Sequence, residues 1–209
     1  MTAKSLYIGC VTEYQYLNSV FKEDKAIAAL SYLCRLTNNK LNHYTAAKLL
    51  YLFDREVLLE TGEPAFFGTY YALPKGPIIS EVNNGISSCS EITPEAPYDW
   101  SPYFTLEVAT HTISQKDPDA KLFEGLLSEE ETDRLTTLIQ KYRSAPKGVL
   151  ESDIQNLPEH IDLLENERRR RMPYQFVFER NGFSNEQITE LMQEIAYEIQ
   201  LRTKLENRC

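Results

Sequence analysis

The sequence predicts an α+β fold, predominantly α-helical: a compact helical domain around a buried central helix, with a small antiparallel β-sheet. Three observations carry this. Residues 45–60, TAAKLLYLFDREVLLE, are apolar almost all round, the mark of a helix covered on several sides. Two other segments, 66–73 and 103–113, are aromatic-rich or alternate apolar with polar residues, as strands do. The remaining long segments repeat apolar residues every three or four positions.

The elements follow in chain order. In 21–36, Phe21, Ile27, Leu30, Leu33 and Cys34 recur at helical spacing, and TNNK at 37–40 supplies the break. Asn42 or Thr45 caps the central helix. Gly62 and Pro64 stop it, because glycine accepts the left-handed conformation that ends helices and proline cannot continue one. The strand FFGTYYAL, 66–73, is expected to pair with a second strand at 103–113, where Phe104, Leu106 and Val108 alternate with Thr105 and Glu107. Between them, a helix starts near Ser80. Residues 87–102 carry three prolines and read as a loop that the single Trp100 docks back onto the body. Ser128 and Glu131 form a capping box for a helix over 129–143, with Leu135, Leu138, Ile139 and Tyr142 on one face. Ser184 and Gln187 form another, and Phe183 stands at staple spacing from Ile188. The helix that follows, 185 to about 204, aligns Ile188, Leu191, Met192, Ile195 and Ile199. Residues 1–20 read as an amino-terminal extension and 21–205 as one domain.

Composition narrows the function classes. The 209 residues carry 22 Lys plus Arg against 31 Asp plus Glu, a formal net charge of -9, which repels nucleic acid and suits basic protein partners. Cys10, Cys34, Cys89 and Cys209 are scattered, with no Cys-x-x-Cys pair, so they read as reduced thiols of a cytoplasmic protein without a disulfide framework or zinc site. His43, His111 and His160 show no metal-binding spacing either. No cofactor or metal is expected. No apolar run approaches the roughly 18 residues that a membrane span needs, so no membrane partner is expected.

Chemistry concentrates in three places. The corner PKGP, 74–77, lacks the glycine pattern and Gly-Lys-Ser/Thr ending of a phosphate loop, and reads as a rigid strand-to-helix turn. Lys48, Tyr51 and Arg55 share one face of the central helix, beside Asp54 and Glu56. They are either an anion or partner contact or a structural ion-pair network, and buried charges there need partners close by. Arg168 to Arg171 is the one basic run. It reads either as the positive end of a helix stopped by Met172-Pro173 or as a grip on nucleic acid or an acidic surface. For nucleophilic catalysis, Cys34 or Cys89 with a distant histidine has no supporting local signature.

The stretch KLLYLFDREVLLETGEPAFFGTYYALPKGPIISEV, 48–82, resembles the core of the Panacea domain, the SocA-like antitoxin family. Lys48, Leu49, Tyr51, Asp54, Gly62, Pro64, Tyr71, Ala72, Gly76 and Pro77 carry the resemblance. The segments LSEEETDRLTTLIQKY, LPEH and RRRRMPYQFVFERNGFSNEQITELMQEI look like its carboxy-terminal part, extending the likeness over about residues 22–200. His160 departs from the pattern by standing where an aromatic residue, often tryptophan, is expected, and residues 1–20 form an addition.

The resemblance implies an antitoxin of a toxin–antitoxin pair. It would neutralise a cognate protein toxin, encoded beside it, by direct binding or as an adaptor that delivers the toxin to a Clp-type protease. Neither mode needs catalysis, so the chain is expected not to be an enzyme. Tyr70, Tyr71 and Lys75, shaped by Gly76 and Pro77, are the candidate toxin contacts, with Lys48, Tyr51 and Arg55 beside them. The alternatives are a nucleic-acid-binding regulator using Arg168 to Arg171, and a small-molecule-binding protein or enzyme around Asp54, Arg55 and Tyr71. The amphipathic carboxy-terminal helix offers a face for a homo-oligomer.

Overall fold

The structure, a computed structural model, describes residues 20–90, 98–161 and 169–206. The amino-terminal extension up to residue 19, residues 91–97 of the proline-rich loop, and Arg168 lie outside the described residues; Val20 and Phe21 already belong to the core. Among the described residues, no helix is long and apolar enough to cross a membrane.

The central helix is α2, His43–Thr61, and its near-uniform apolarity has the predicted consequence: Leu49, Leu50, Tyr51, Phe53 and Asp54 are all fully buried. Its ends are set locally. Asn42 accepts from the Tyr44 and Thr45 N–H groups at 3.0 and 3.2 Å. Gly62, at φ 81°, closes the last turn by donating to the Leu58 carbonyl at 2.9 Å. Four further helices lie against α2. They are α1 (Glu23–Leu36), α3 (Ser80–Ser88), α4 (Glu129–Arg143, with its capping box at Ser128 and Glu131) and α5 (Val149–Gln155). A short α6, Pro158–Ile161, leads towards α7, Tyr174–Arg180, and α8, Asn185–Glu206. Ser184 and Gln187 bond reciprocally at the start of α8, and Phe183 and Ile188 both pack on the core.

Among the described residues, two three-stranded antiparallel sheets stand in place of the single small sheet that the sequence predicts. Residues 103–113 do not form a single strand. They turn back as a hairpin of β4, Phe104–Glu107, and β5, Thr112–Gln115, with Leu106 opposite Ile113. The reversal is local: Thr110 bonds Glu107 at 2.7 Å and Thr112 at 3.0 Å, and His111 takes the left-handed conformation at φ 56°. The hairpin pairs with β1, Leu41–Asn42, rather than with the aromatic strand. Asn39 acts as one more strand residue, because its side-chain amide donates to the Gln115 carbonyl and accepts from the Gln115 N–H, at 2.8 and 2.6 Å. The hairpin is thereby fixed beside α1.

The second sheet runs β3-β2-β6, with β2 Tyr70–Ala72, β3 Ile78–Ile79 and β6 Arg170–Arg171. Two expectations are corrected here. The aromatic strand is shorter than 66–73, since Phe66, Phe67 and Gly68 are buried without strand pairing and Phe67 sits at φ 56°. The arginine run is not the end of a helix: Arg171 and Arg170 pair with Tyr71 and Ala72, and the Met172 N–H donates to the Tyr70 carbonyl at 2.9 Å. Pro173 disfavours helical backbone in the residue before it, which suits that extended pairing.

Trp100 does dock the proline-rich segment. Its indole is buried against α3, its N–H donates to Glu23 in the first turn of α1 at 2.9 Å, and its backbone N–H donates to Ser88 at 2.9 Å.

Candidate functional site

The corner at 74–77 is held by its carbonyl groups. Leu73 C=O accepts from the Gly76 N–H and from His160 Nε2, both at 2.9 Å. Pro74 C=O accepts from the Gln155 side chain at 2.9 Å, and Lys75 C=O from Lys48 Nζ. Three consecutive carbonyls are thus strapped by side chains from α6, α5 and α2. His160 takes the place expected for an aromatic residue, its ring set between two carbonyls, with Nδ1 3.1 Å from that of Gln155. Gly76, at φ 105°, has to be glycine: a Cβ there would collide with Ile154 and stand 2.8 Å from Lys48 Nζ. Burial holds the Lys48 ammonium below the ordinary lysine range, with Glu151 pulling the other way.

Beneath the corner lie two buried carboxylates. Asp54 accepts from the Phe66 N–H and the Tyr70 hydroxyl, each at 2.7 Å, and burial pushes its carboxyl up to about 6 against both bonds. Glu159 on α6 accepts from Arg55 at both oxygens and from Tyr51 at 3.2 Å, while Asn181 after α7 joins Arg55 and Glu159 at 2.8 and 3.0 Å. Burial raises the Glu159 carboxyl, but Arg55 outweighs it and holds the group below its ordinary value. Of the two readings of Lys48, Tyr51 and Arg55, the structural network describes their bonds. Tyr70 belongs to the same interior, its ring edge-on to Tyr51 and Tyr174 with centroids 5.0 Å away in each case.

What remains accessible lies at the corner and along the pairing of β2 with β6. Lys75 is exposed at the corner, Tyr71 is half-buried on β2, and Arg169 and Arg170 are exposed beside it. Strand pairing brings together two segments almost a hundred residues apart in sequence: the Arg169 guanidinium lies over the Tyr71 ring, 3.9 Å from its centroid, and donates to Ser80 at 3.2 Å. Gly76 and Pro77 are buried supports of this surface. The candidate contacts therefore separate into an interior set (Lys48, Tyr51, Tyr70, with Arg55 tied to Glu159) and an outer pair, Tyr71 and Lys75, to which the structure adds Arg169 and Arg170.

Of the side chains that hold the site, Glu159 and His160 stand in the segment LPEH and Asn181 in FERNGF, which carry the resemblance, but nothing in the sequence pattern names their partners, and Gln155 carries no motif signal. The one sequence clue was that Arg55, in so apolar a helix, demands a carboxylate. As for a nucleophile, Cys34 and Cys89 are buried and burial pushes both thiols up to about 12, so neither offers a thiolate at neutral pH. Among the described residues, no three His, Cys, Asp or Glu side chains cluster as metal ligands.

A family model described as antitoxin SocA-like, Panacea domain, matches residues 47–155, just over half of the 209 residues. The matched span holds α2 from its second turn on, the corner, both strands of the hairpin, α4 and α5, and stops before Glu159, His160 and the arginine strand. No curated protein and no solved structure matches the chain.

Proposed function

We propose that this chain, which belongs to the SocA-like antitoxin family defined by the Panacea domain, neutralises a cognate protein toxin by binding it directly. Family membership carries the reading, and one geometric observation supports the choice of contact: Arg169 stacked on the half-buried Tyr71, with Lys75 exposed at the corner that follows β2. Tyrosine and arginine are the residue types that most often dominate interface energetics, and a surface strapped from beneath loses little freedom on docking. The carbonyl straps supply that rigidity. Binding alone suffices for the role, with no catalysis by this chain. Three exposed basic side chains, Lys75, Arg169 and Arg170, set against a net charge of -9, favour a protein surface over a nucleic-acid backbone.

The test is growth rescue. The open reading frame beside this gene is expressed under tight control with and without the protein, which carries a tag for recovery of what it binds. Toxicity relieved by co-expression, with the neighbour recovered in stable complex, is the expected result. Tyr71→Ala and Arg169→Glu should each weaken the complex by at least about tenfold, in keeping with a central interface residue, while leaving the thermal transition of the free protein little changed. Relief without a stable complex, abolished in a host lacking Clp-type proteases, would assign the adaptor route instead. No relief at all would remove the antitoxin reading.

A further inference from the structure

Arg169 is held in place before any partner arrives. It is an exposed residue immediately before β6, yet its guanidinium is fixed at two points: the central carbon lies 3.9 Å from the centroid of the Tyr71 ring, and Nη2 donates to the Ser80 hydroxyl oxygen at 3.2 Å. Both supports are themselves anchored. Tyr71 is the middle residue of β2, paired with Ile78 on one side and Arg171 on the other, and the Ser80 N–H donates to the Thr69 carbonyl at 2.9 Å where α3 begins. A long side chain normally loses rotamer freedom when it makes a contact. For Arg169 much of that loss has already occurred on folding.

The fixed guanidinium also has donors to spare. It carries five N–H groups in one plane and no acceptor, and Ser80 takes one of them. Among the described residues, neither Arg169 nor exposed Arg170 forms an ion pair, in contrast to Arg55, Arg134 and Arg202, each of which is bonded to a glutamate. The tyrosine ring covers one side of the plane, so a ligand reaches the spare donors along its edge. Carboxylates and phosphates are the groups that match two such donors at once.

The surroundings favour the carboxylate. A net charge of -9 repels a polyanion. Surfaces that bind single-stranded nucleic acid stack bases on open aromatic rings, whereas the Tyr71 ring is half-buried with the guanidinium already over it. Ile78, opposite Tyr71 and also half-buried, extends an apolar floor that suits the side chains of a protein. We propose that Arg169, set by Tyr71 and Ser80, is the receptor for an Asp or Glu side chain of the toxin, with Arg170 adding to the attraction. This rests on the direct-binding reading above and adds to it the chemistry of the contact and a positioning role for Ser80. It also separates two effects of charge: the whole chain attracts a basic protein from a distance, while this contact asks for one local carboxylate on it.

The complex with the product of the neighbouring open reading frame is titrated for the wild type, Arg169→Gln, Arg169→Lys and Ser80→Ala, beside thermal unfolding of each free protein. Arg169→Gln should raise Kd at least about tenfold, and Arg169→Lys should still lose about threefold or more, since an ammonium keeps the charge but not the fork. Ser80→Ala should raise Kd about threefold, in keeping with reordering one long side chain, and should cost nothing further in the Arg169→Gln background. In heteronuclear NMR spectra of the free protein, the Arg169 Nε–H signal should move towards those of mobile arginines in Ser80→Ala. Among Asp→Asn and Glu→Gln variants of the partner, one should weaken the complex as Arg169→Gln does and be non-additive with it. A complex indifferent to both Arg169 variants, or no partner carboxylate coupled to Arg169, would overturn the inference and leave direct binding standing. A lowered thermal transition in Arg169→Gln would make the arginine a structural group, and a single-stranded oligonucleotide bound by the wild type and lost in Arg169→Gln would give the surface to nucleic acid; either overturns the proposal. No complex with the neighbour at all would remove direct binding, and the inference with it.

Discussion

Asp54 is the residue at which burial and ionisation are most opposed. Its carboxyl is fully buried and lifted to about 6, even though the Tyr70 hydroxyl and the Phe66 N–H both donate to it. A carboxyl whose folded value exceeds its unfolded one binds a proton more readily in the folded state, so its contribution to stability grows as pH falls from about 6 towards about 4 and is lost as pH rises. Glu159 works in the reverse sense: Arg55 keeps it below its ordinary value, so its contribution is present above the unfolded value and lost as pH falls. Comparison with Asp54→Asn separates the two, because asparagine takes up no proton while Glu159 is common to both proteins. Urea denaturation should show the stability difference moving in favour of the wild type by about 2 kcal/mol between pH about 7 and about 4.5, at ~1.4 kcal/mol per tenfold change in proton affinity. A difference that does not vary with pH would mean that Asp54 is not held in the environment described. That Asp54, Arg55 and Glu56 need close partners was legible from their place in an apolar helix. Which partners was not, because Phe66 and Tyr70, Glu159 and Arg134 come from three segments that only the folded chain brings to α2.

At the scale of elements, what could be read from the sequence was whatever is decided within one turn or one helix. The caps at Asn42, Gly62, Ser128 and Ser184 and the apolar face of α4 are of this kind, and each stands where the pattern put it. The partner of the arginine strand is decided at a distance, which is why Arg170 and Arg171 read as a helix end; the hairpin reversal at 108–111 is local, but its residues, Val-Ala-Thr-His, carry no Gly, Asn, Asp or Pro to mark a turn. Helix α3 shows the same limit in a different form. Gly85 lies inside it, where glycine is ordinarily unfavourable by about 1 kcal/mol relative to alanine, and nothing nearby in the sequence explains it. The structure does: a Cβ on Gly85 would collide with the Trp100 indole, reaching within 2.8 Å of Cζ2 and closer still to the ring fusion. Trp100 in turn binds Glu23 and Ser88, so one missing methyl group lets α3 close on the proline-rich segment and on α1. Gly85→Ala should therefore destabilise despite its better helix propensity, by about 1–3 kcal/mol as overpacking does. Trp100 is the single tryptophan, so its emission reports the displacement directly, with a red shift expected in the folded variant. A stabilised variant with unshifted emission would show that the indole has room to yield.

The molecule as a whole extends beyond the part that its family match covers. Residues 47–155 contain the central helix and the corner, but much of what satisfies their polar groups lies outside. Glu159 and Asn181 bind Arg55, Glu159 binds Tyr51, and His160 holds the Leu73 carbonyl. Tyr174 donates to the Gly68 carbonyl, and Arg171 pairs with Tyr71. On the other side α1 covers α2 with Ala26, Ala29, Leu30 and Leu33, all fully buried. A fragment limited to 47–155 would keep Arg55 without its carboxylate and expose the apolar face that α1 covers. Breaking a buried ion pair from one side alone costs about 3–5 kcal/mol, comparable with the whole stability of a marginal domain. That fragment is expected not to fold. Residues 20–206, by contrast, should unfold in one step, with circular dichroism and Trp100 emission following the same urea curve. A cooperative transition with buried tryptophan emission in the 47–155 fragment would show that the matched span is a domain in its own right, and that the carbonyl straps from α6 are an ornament on it. Failure of the fragment together with a single transition in the longer chain would make the surface at Tyr71 a product of the whole fold, since its arginines come from the segment that the shorter piece lacks.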